Sequence, residues 1–176
     1  GETGGLRAHP KGGGGGGSLI PQAGLLSQLQ AYGSGGWLFA CVDAIAEAVA
    51  AVRWHLYQRE ADGNRIEVEV PLKQTILTPG QKLIILWNQA NPFFSRQELF
   101  HTCQQHLELV GEADWLLVPN GAGDIVEMWP IRPDRITPIA HPTEWLSGYI
   151  YQWGGVREVF APGQIIALRR PNPLDP

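Results

Sequence analysis

The sequence predicts an α+β fold, with two main helices packed on mostly antiparallel hairpin strands and a flexible glycine-rich arm in front. Two stretches, Trp37 to Arg53 and Ser95 to Gly111, repeat apolar residues at three- and four-residue steps. From Ala113 onward, short β-rich segments alternate with Gly, Asn and Pro turn signals. No period of roughly twenty to fifty residues repeats.

Residues 1–36 hold the run Gly12 to Gly17 and further glycines at 24, 33, 35 and 36. Glycine loses the most backbone entropy on ordering, so this segment reads as a flexible arm. Within it Leu25, Leu26 and Leu29 suit a helical turn that docks transiently. The domain is expected to start near Trp37 and to occupy residues 37–176. The first helix carries the stripe Ala40, Cys41, Ala44, Ile45, Ala48, Val49 and Val52, with Asp43 and Glu47 on the wetter side. Its alanines suit close packing against a sheet or a second helix.

Trp54 to Arg59 reads as a strand, Asp62-Gly63-Asn64 as a turn, and the alternating Ile66, Val68 and Val70 as the returning strand. In residues 71–90 a short helix is favoured over a strand, and Thr78-Pro79-Gly80 breaks the segment. Asn91-Pro92 forces an extended or turn conformation at Asn91. Ser95-Arg96-Gln97-Glu98 fits a capping box, in which hydroxyl and carboxylate satisfy two orphan donors reciprocally. The helix it opens shows Leu99, Cys103, Leu107 and Val110 on one face and stops at Gly111. Strands follow at 115–118, 125–129, 135–139, 149–153, 156–160 and 164–168. Asn120 to Asp124 and Gly154-Gly155 serve as hairpin turns, and Tyr149, Tyr151 and Trp153 share a face.

The chain has 176 residues, 44% hydrophobic and 17% charged, which is enough for one ordinary core without metal or disulfide support. Seven residues are Trp, a side chain with a large apolar body and one donor, common both in cores and at interfaces. The net charge is -4 with no Lys/Arg cluster, so the chain is a poor DNA clamp. Cys41 and Cys103, set among apolar neighbours, read as buried free thiols rather than a disulfide. The apolar stretch Trp37 to Val52 is broken by Asp43 and Glu47, which argues against a membrane span, and no leader-type segment is expected.

The same residues offer little chemistry. His101 and His106 are five apart and fall on different sides of a helix, so no metal site is expected. The glycine runs lack G-x-x-x-x-G-K-[ST], so Gly33 to Gly36 read as a hinge or helix lead-in. No G-x-S-x-G occurs, and Cys103 near His101 and His106 reads as buried. No catalytic residue and no cofactor are expected.

Five stretches in order resemble the Phage_portal family of tailed bacteriophages. Trp37 to Ala50 is similar to its opening helix, "W-x-x-A-C-V-x-x-I-A-x-x-V-A", and Trp54-His55-Leu56-Tyr57 to the strand behind it. Asn91-Pro92 with Glu98-Leu99-Phe100 and the helix to Gly111 resembles "N-P … F … L … G-N-A-Y". Gly123 to Ile136 is similar to "G-x-V-x-x-L-x-P-L-x-P-x-R-V", and Ile165 to Pro176 to a run ending "P-x-D-P". The resemblance marks Trp37, Cys41, Trp54, Asn91, Pro92, Gly111, Trp129, Pro130, Pro133, Pro173 and Asp175 as family-motif positions. The chain departs from the pattern where Glu112-Ala113-Asp114-Trp115 replaces Asn-Ala-Tyr, where 73–84 is long, and where Ala167 stands for a common His.

The resemblance implies a structural subunit of a twelve-membered portal ring at one capsid vertex, without enzymatic chemistry. Implied partners are other portal subunits, capsid or scaffold proteins, terminase, a head–tail adaptor and DNA passing without sequence recognition. The implied location is the virion, with host cytoplasm during assembly. Residues 37–176 would be the wing-like part, and stem, clip and crown would lie beyond Pro176. This part alone is expected to be monomeric or weakly associating. Two competing readings are a non-phage interaction module using its tryptophans and a small hydrolase. A cleft holding a histidine against a carboxylate or thiol would mark the latter.

Overall fold

Alternation along one strand dictates the architecture. In the computed structural model, which describes residues 22–70 and 76–171, β3 (Glu112–Pro119) is the middle strand of a three-stranded antiparallel sheet. In chain order the described elements begin with α1 (Gln22–Ser34), α2 (Gly36–Ala50) and the hairpin β1 (Tyr57–Arg59) with β2 (Arg65–Glu67). Next come α3 (Pro79–Asn88), α4 (Arg96–Val110), β3, and β4 (Ile125–Ile131). A 3-10 turn (Pro133–Arg135) leads to β5 (Ile136–His141), β6 (Trp145–Trp153), β7 (Val156–Phe160) and β8 (Ile165–Arg169). One sheet runs β4-β3-β8 and the other β5-β6-β7, both antiparallel, so the fold is α+β as expected.

Side chains on β3 alternate between two cores, because successive Cβ atoms point to opposite faces. Ala113 and Trp115, with Met128 of β4, pack against Leu86 of α3 and Leu99 and Cys103 of α4. The opposite face turns Leu116 towards Ile131, Ile136, Tyr149, Phe160 and Ile165. Helices, first sheet and second sheet therefore stack as three layers.

Both main helix signals hold. Ser95 Oγ accepts from the Glu98 amide and Glu98 returns a carboxylate to the Ser95 amide at 2.8 Å. Gly111 closes α4 in the left-handed region at φ 77, and its amide donates to Leu107 O at 3.1 Å. Leu99, Cys103 and Val110 are buried and Leu107 packs beside them. The favoured helix in 71–90 is α3, opened by a Thr78/Gln81 capping box. The β1–β2 hairpin forms as expected, with Gly63 at φ 90, but it is more exposed than its alternation implied, Ile66 included.

Two expectations are overturned. The described part of the glycine-rich arm is helix α1, docked on α4 and the 3-10 turn. Leu25 is 2% exposed, and the Tyr32 hydroxyl accepts from Gln105 Nε2 at 2.8 Å. Burial of Leu25 and this tether offset the helix cost of Gly24 and Gly33. Residues 1–21, with the Gly12 to Gly17 run, lie outside the described residues. The second correction is the face of α2. Val42, Ala46 and Ala50 turn inward to α4, while the predicted stripe through Ala40, Cys41, Ala44, Ile45 and Ala48 faces out. Asp43, placed on the wet side by the sequence, lies half-buried against α4. A helix apolar on all sides carries no periodic signal for which side packs.

In β6, Gly148 adopts φ 157, next to the register shift between Ile139 and Ala140. A Cβ there would lie 2.5 Å from Phe160 O, a backbone atom that cannot swing away. Gly148→Ala is expected to lower unfolding stability by on the order of 3 kcal/mol, because β6 and β7 must part. Urea unfolding checks this, and a loss under about 0.5 kcal/mol would show that the strands yield freely.

Candidate assembly interface

The family-motif positions do not converge on one pocket. They fall into a structural joint and an outward surface. The joint centres on Asn91, which is 3% exposed. Its Oδ1 accepts from the Phe93 and Phe94 amides at 2.9 Å, and its Nδ2 donates to Met128 O at 2.8 Å. Met128 N donates to Ala90 O at 2.7 Å, so the loop after α3 is bonded to the outer edge of β4. Pro92 is exposed at the turn, and Trp129 packs on Phe93 while its Nε1 donates to Glu127 at 2.7 Å. Pro130 pairs opposite Trp115, and Pro133 is fully buried at the start of the 3-10 turn. Gly111 stands apart at the far end of α4, where its carbonyl accepts from Arg170 N at 2.9 Å. Pro173 and Asp175 lie outside the described residues.

The outward surface belongs to α2 and the segment behind it. Trp37 is 87% exposed, and Leu38, Ile45, Val52 and Trp54 each expose two-fifths or more. Cys41 is an exposed free thiol, which corrects its expected burial, whereas Cys103 is buried and free as expected. Trp54 stacks on Phe100 and meets Trp87 edge-on, so one of its faces is anchored and the other is open. A second set of exposed apolar side chains, Trp145, Trp153, Val156 and Val159, lies on β6 and β7.

Sequence reasoning missed the buried ionisable groups. Asp114 is fully buried on the second-core face of β3, its Oδ1 accepting from Arg169 Nη2 at 2.9 Å. Burial raises its pKa more than Arg169 lowers it. His106, 9% exposed, has its pKa lowered to about 4 by burial first and by Arg132 second. Its Nδ1 has no hydrogen-bond partner among the described residues. The only hint in the sequence was position: His106 lies three residues past Cys103 on the same helical face.

Two histidines do meet carboxylates. His101 Nε2 is 3.0 Å from Asp43 Oδ1, joining α4 to α2, and His55 Nδ1 is 2.5 Å from Glu67. The hollow beside His101, about 440 Å³, is lined by Glu47, Ala50, Phe93, Gln97 and Thr102. A His–carboxylate contact is the one by which a hydrolase would be recognised; here it joins α4 to α2, and His101 lines the hollow while Asp43 does not. Burial pushes the nearby Cys103 thiol up to about 12, far from a reactive thiolate. A larger cleft of about 620 Å³ is lined by Thr102, His106, Trp129, Arg132, Arg135 and Tyr151. Its guanidinium groups are already engaged: Arg132 binds Asp134 through two 3.0 Å bonds, and Arg135 lies 3.5 Å over the Trp153 ring. Among the described residues no group of three or more His, Cys, Asp or Glu could hold a metal, and no helix is long and apolar enough to cross a membrane.

The fold is shared with chains in solved structures of gene transfer agent particles. The chain is similar to a chain in the neck of an empty gene transfer agent particle computed with C6 symmetry. That match has 24% identity and TM-score 0.72 over 93% of this chain and 41% of the other. A match to the neck of the native particle computed with C12 symmetry has 22% identity and TM-score 0.69, over 92% and 39%. The virion of a native gene transfer agent particle contains a third, at 22% and 0.67, over 91% and 39%. The chain thus spans about two-fifths of the length of these structural relatives. No curated protein matches it. The family model for phage portal proteins matches residues 37–176, and the chain belongs to that family.

His106 sets an acid limit on the fold. Its folded value of about 4 lies below the ordinary 6.5, so the unfolded chain binds the proton first as pH falls. Its contribution is intact above pH 6.5 and is lost progressively towards pH 4, by on the order of 3 kcal/mol. Urea unfolding at pH 7 and pH 4.5 should show a smaller acid loss for His106→Gln than for the wild type. Equal losses would mean that the ring is not held neutral.

Proposed function

We propose that this chain serves as a structural subunit of a portal ring at a capsid vertex, supporting head assembly, terminase docking and DNA passage. The observation that carries the reading is the portal family match along residues 37–176, joined to a fold shared with neck chains. Residues 37–176 act as the wing-like α+β domain, with α1 strapped across α4 and the 3-10 turn. Further copies of the subunit are its first partners. Capsid or scaffold proteins, terminase and a head–tail adaptor are the others, in the virion and in host cytoplasm during assembly.

The role is non-catalytic. The family is a structural one, and the buried Cys103, His106 and Asp114 are placed for packing. DNA passes this region without being gripped, because 13 Lys and Arg against 17 Asp and Glu offer little net positive charge to displace counterions from phosphates. The family-motif residues hold shape: Asn91 and Pro92 fix the loop on β4, Gly111 ends α4, and Trp37, Cys41 and Trp54 face a neighbour.

Particles purified from cells that make this chain provide the test. Quantitative mass spectrometry against the major shell protein is expected to count close to twelve copies per particle, the order of the C12 neck symmetry. Hundreds of copies would make it a shell component. Its absence from particles would remove the portal role.

A further inference from the structure

We propose that the tip of the β5–β6 hairpin is an acid-sensitive latch: the neutral ring of His141 holds Trp145 outward, and protonation of that ring releases it. The latch lies in His141-Pro142-Thr143-Glu144-Trp145 and does not depend on the portal reading. Trp145 has φ 68, the only positive value at a non-glycine position among the described residues. A bulky residue avoids that region because its Cβ crowds the backbone, so surrounding bonds must hold it there.

Those bonds come from His141. Its Nδ1 accepts from the Glu144 amide at 2.9 Å and the Thr143 amide at 3.3 Å, and Thr143 Oγ1 also lies at 3.3 Å. Leu146 N donates to Glu144 O at 2.8 Å, and His141 stands opposite Trp145 in the ladder, so the turn closes directly in front of the tryptophan. Pro142 brings no amide of its own and favours an extended His141. Trp145 is left 74% exposed.

An amide can only donate, so two of them fix the tautomer: Nδ1 carries the lone pair and Nε2 the hydrogen. Histidine is the side chain that ordinarily changes charge between roughly pH 5 and 8. A proton taken from solvent onto Nδ1 removes the acceptor and sets three N–H groups against one another. The turn then loses what offsets the left-handed backbone of Trp145. Charged groups near the ring are few. Glu144 belongs to the turn itself. Asp134 and Arg135 precede the opposite end of β5, while Arg157 and Glu158 of β7 stand across from Gln152 and Tyr151, towards the other end of β6. The histidines that meet carboxylates among the described residues are His55 and His101, not His141. Trp is enriched at protein contacts and often dominates their energy, so the latch decides whether this tip offers a fixed side chain or a loose one.

Magnetic resonance of the isotope-labelled chain, titrated from about pH 8 to about pH 5, tests the latch. The Cα signal of Trp145 reports its backbone region, and the ring signals of His141 report the proton. The buried Met128 methyl signal marks that the fold persists. In the wild type Trp145 Cα is expected to leave its left-handed value along the same curve as the His141 ring. His141→Asn keeps an oxygen that accepts from the same amides at every pH, so its Trp145 signal should start at the wild-type value and stay flat. His141→Ala should show the released value throughout. A Trp145 signal that stays fixed while the wild-type ring titrates would overturn the proposal. So would a His141→Asn variant that titrates like the wild type, or a Glu144→Gln variant that abolishes the change, since either makes Glu144 or another group the sensor.

Discussion

Burial of β3 on both faces is the constraint on which the rest of the structure depends. An antiparallel sheet commonly leaves one face to water, and a sheet covered twice needs a separate apolar layer on each side. Helices α3 and α4 cover one face and the β5–β7 sheet covers the other. Every second residue of the strand therefore answers to a different core, which explains why Trp115 and Leu116, adjacent in the chain, belong to separate clusters. The same double cover accounts for Asp114. A carboxylate on that strand has no route to water, and Arg169 of the neighbouring β8 reaches over to meet it.

What the sequence made legible was local. The Ser95/Glu98 box, the Gly111 terminus and the Asp62-Gly63-Asn64 turn are each decided by a few adjacent residues, and all stand where they were expected. The hairpin strands from 112 to 169 were readable because turn chemistry brackets them. What failed was tertiary. The orientation of α2 depends on which of its apolar sides meets α4, and the order of α1 depends on a surface more than seventy residues away, at Gln105. The candidate interface was half legible: Trp37, Cys41 and Trp54 were singled out, but their outward placement was visible only in three dimensions. Asp114 carried no sequence signal and His106 only its place on the Cys103 face of α4, because burial is a property of neighbours.

The distribution of polar chemistry fits a part that holds shape. Ionisable groups that lie deep, such as Asp114 and His106, sit in layers between secondary-structure elements. Histidines that meet carboxylates, such as His101 with Asp43, tie one element to another. Large apolar side chains reach the surface on α2, at Trp54 and on the β6–β7 hairpin, and also at Ile76, Leu83, Ile85 and Phe93.

The Asn91 joint has one further consequence, for behaviour outside any assembly. Exposed strand edges invite foreign strands and seed aggregates. By bonding Ala90 and Asn91 to Met128, the loop occupies part of the rim of β4 with main-chain and amide groups that no stray polypeptide can displace without unfolding it. One asparagine side chain thus shields part of a strand edge as well as fixing a turn.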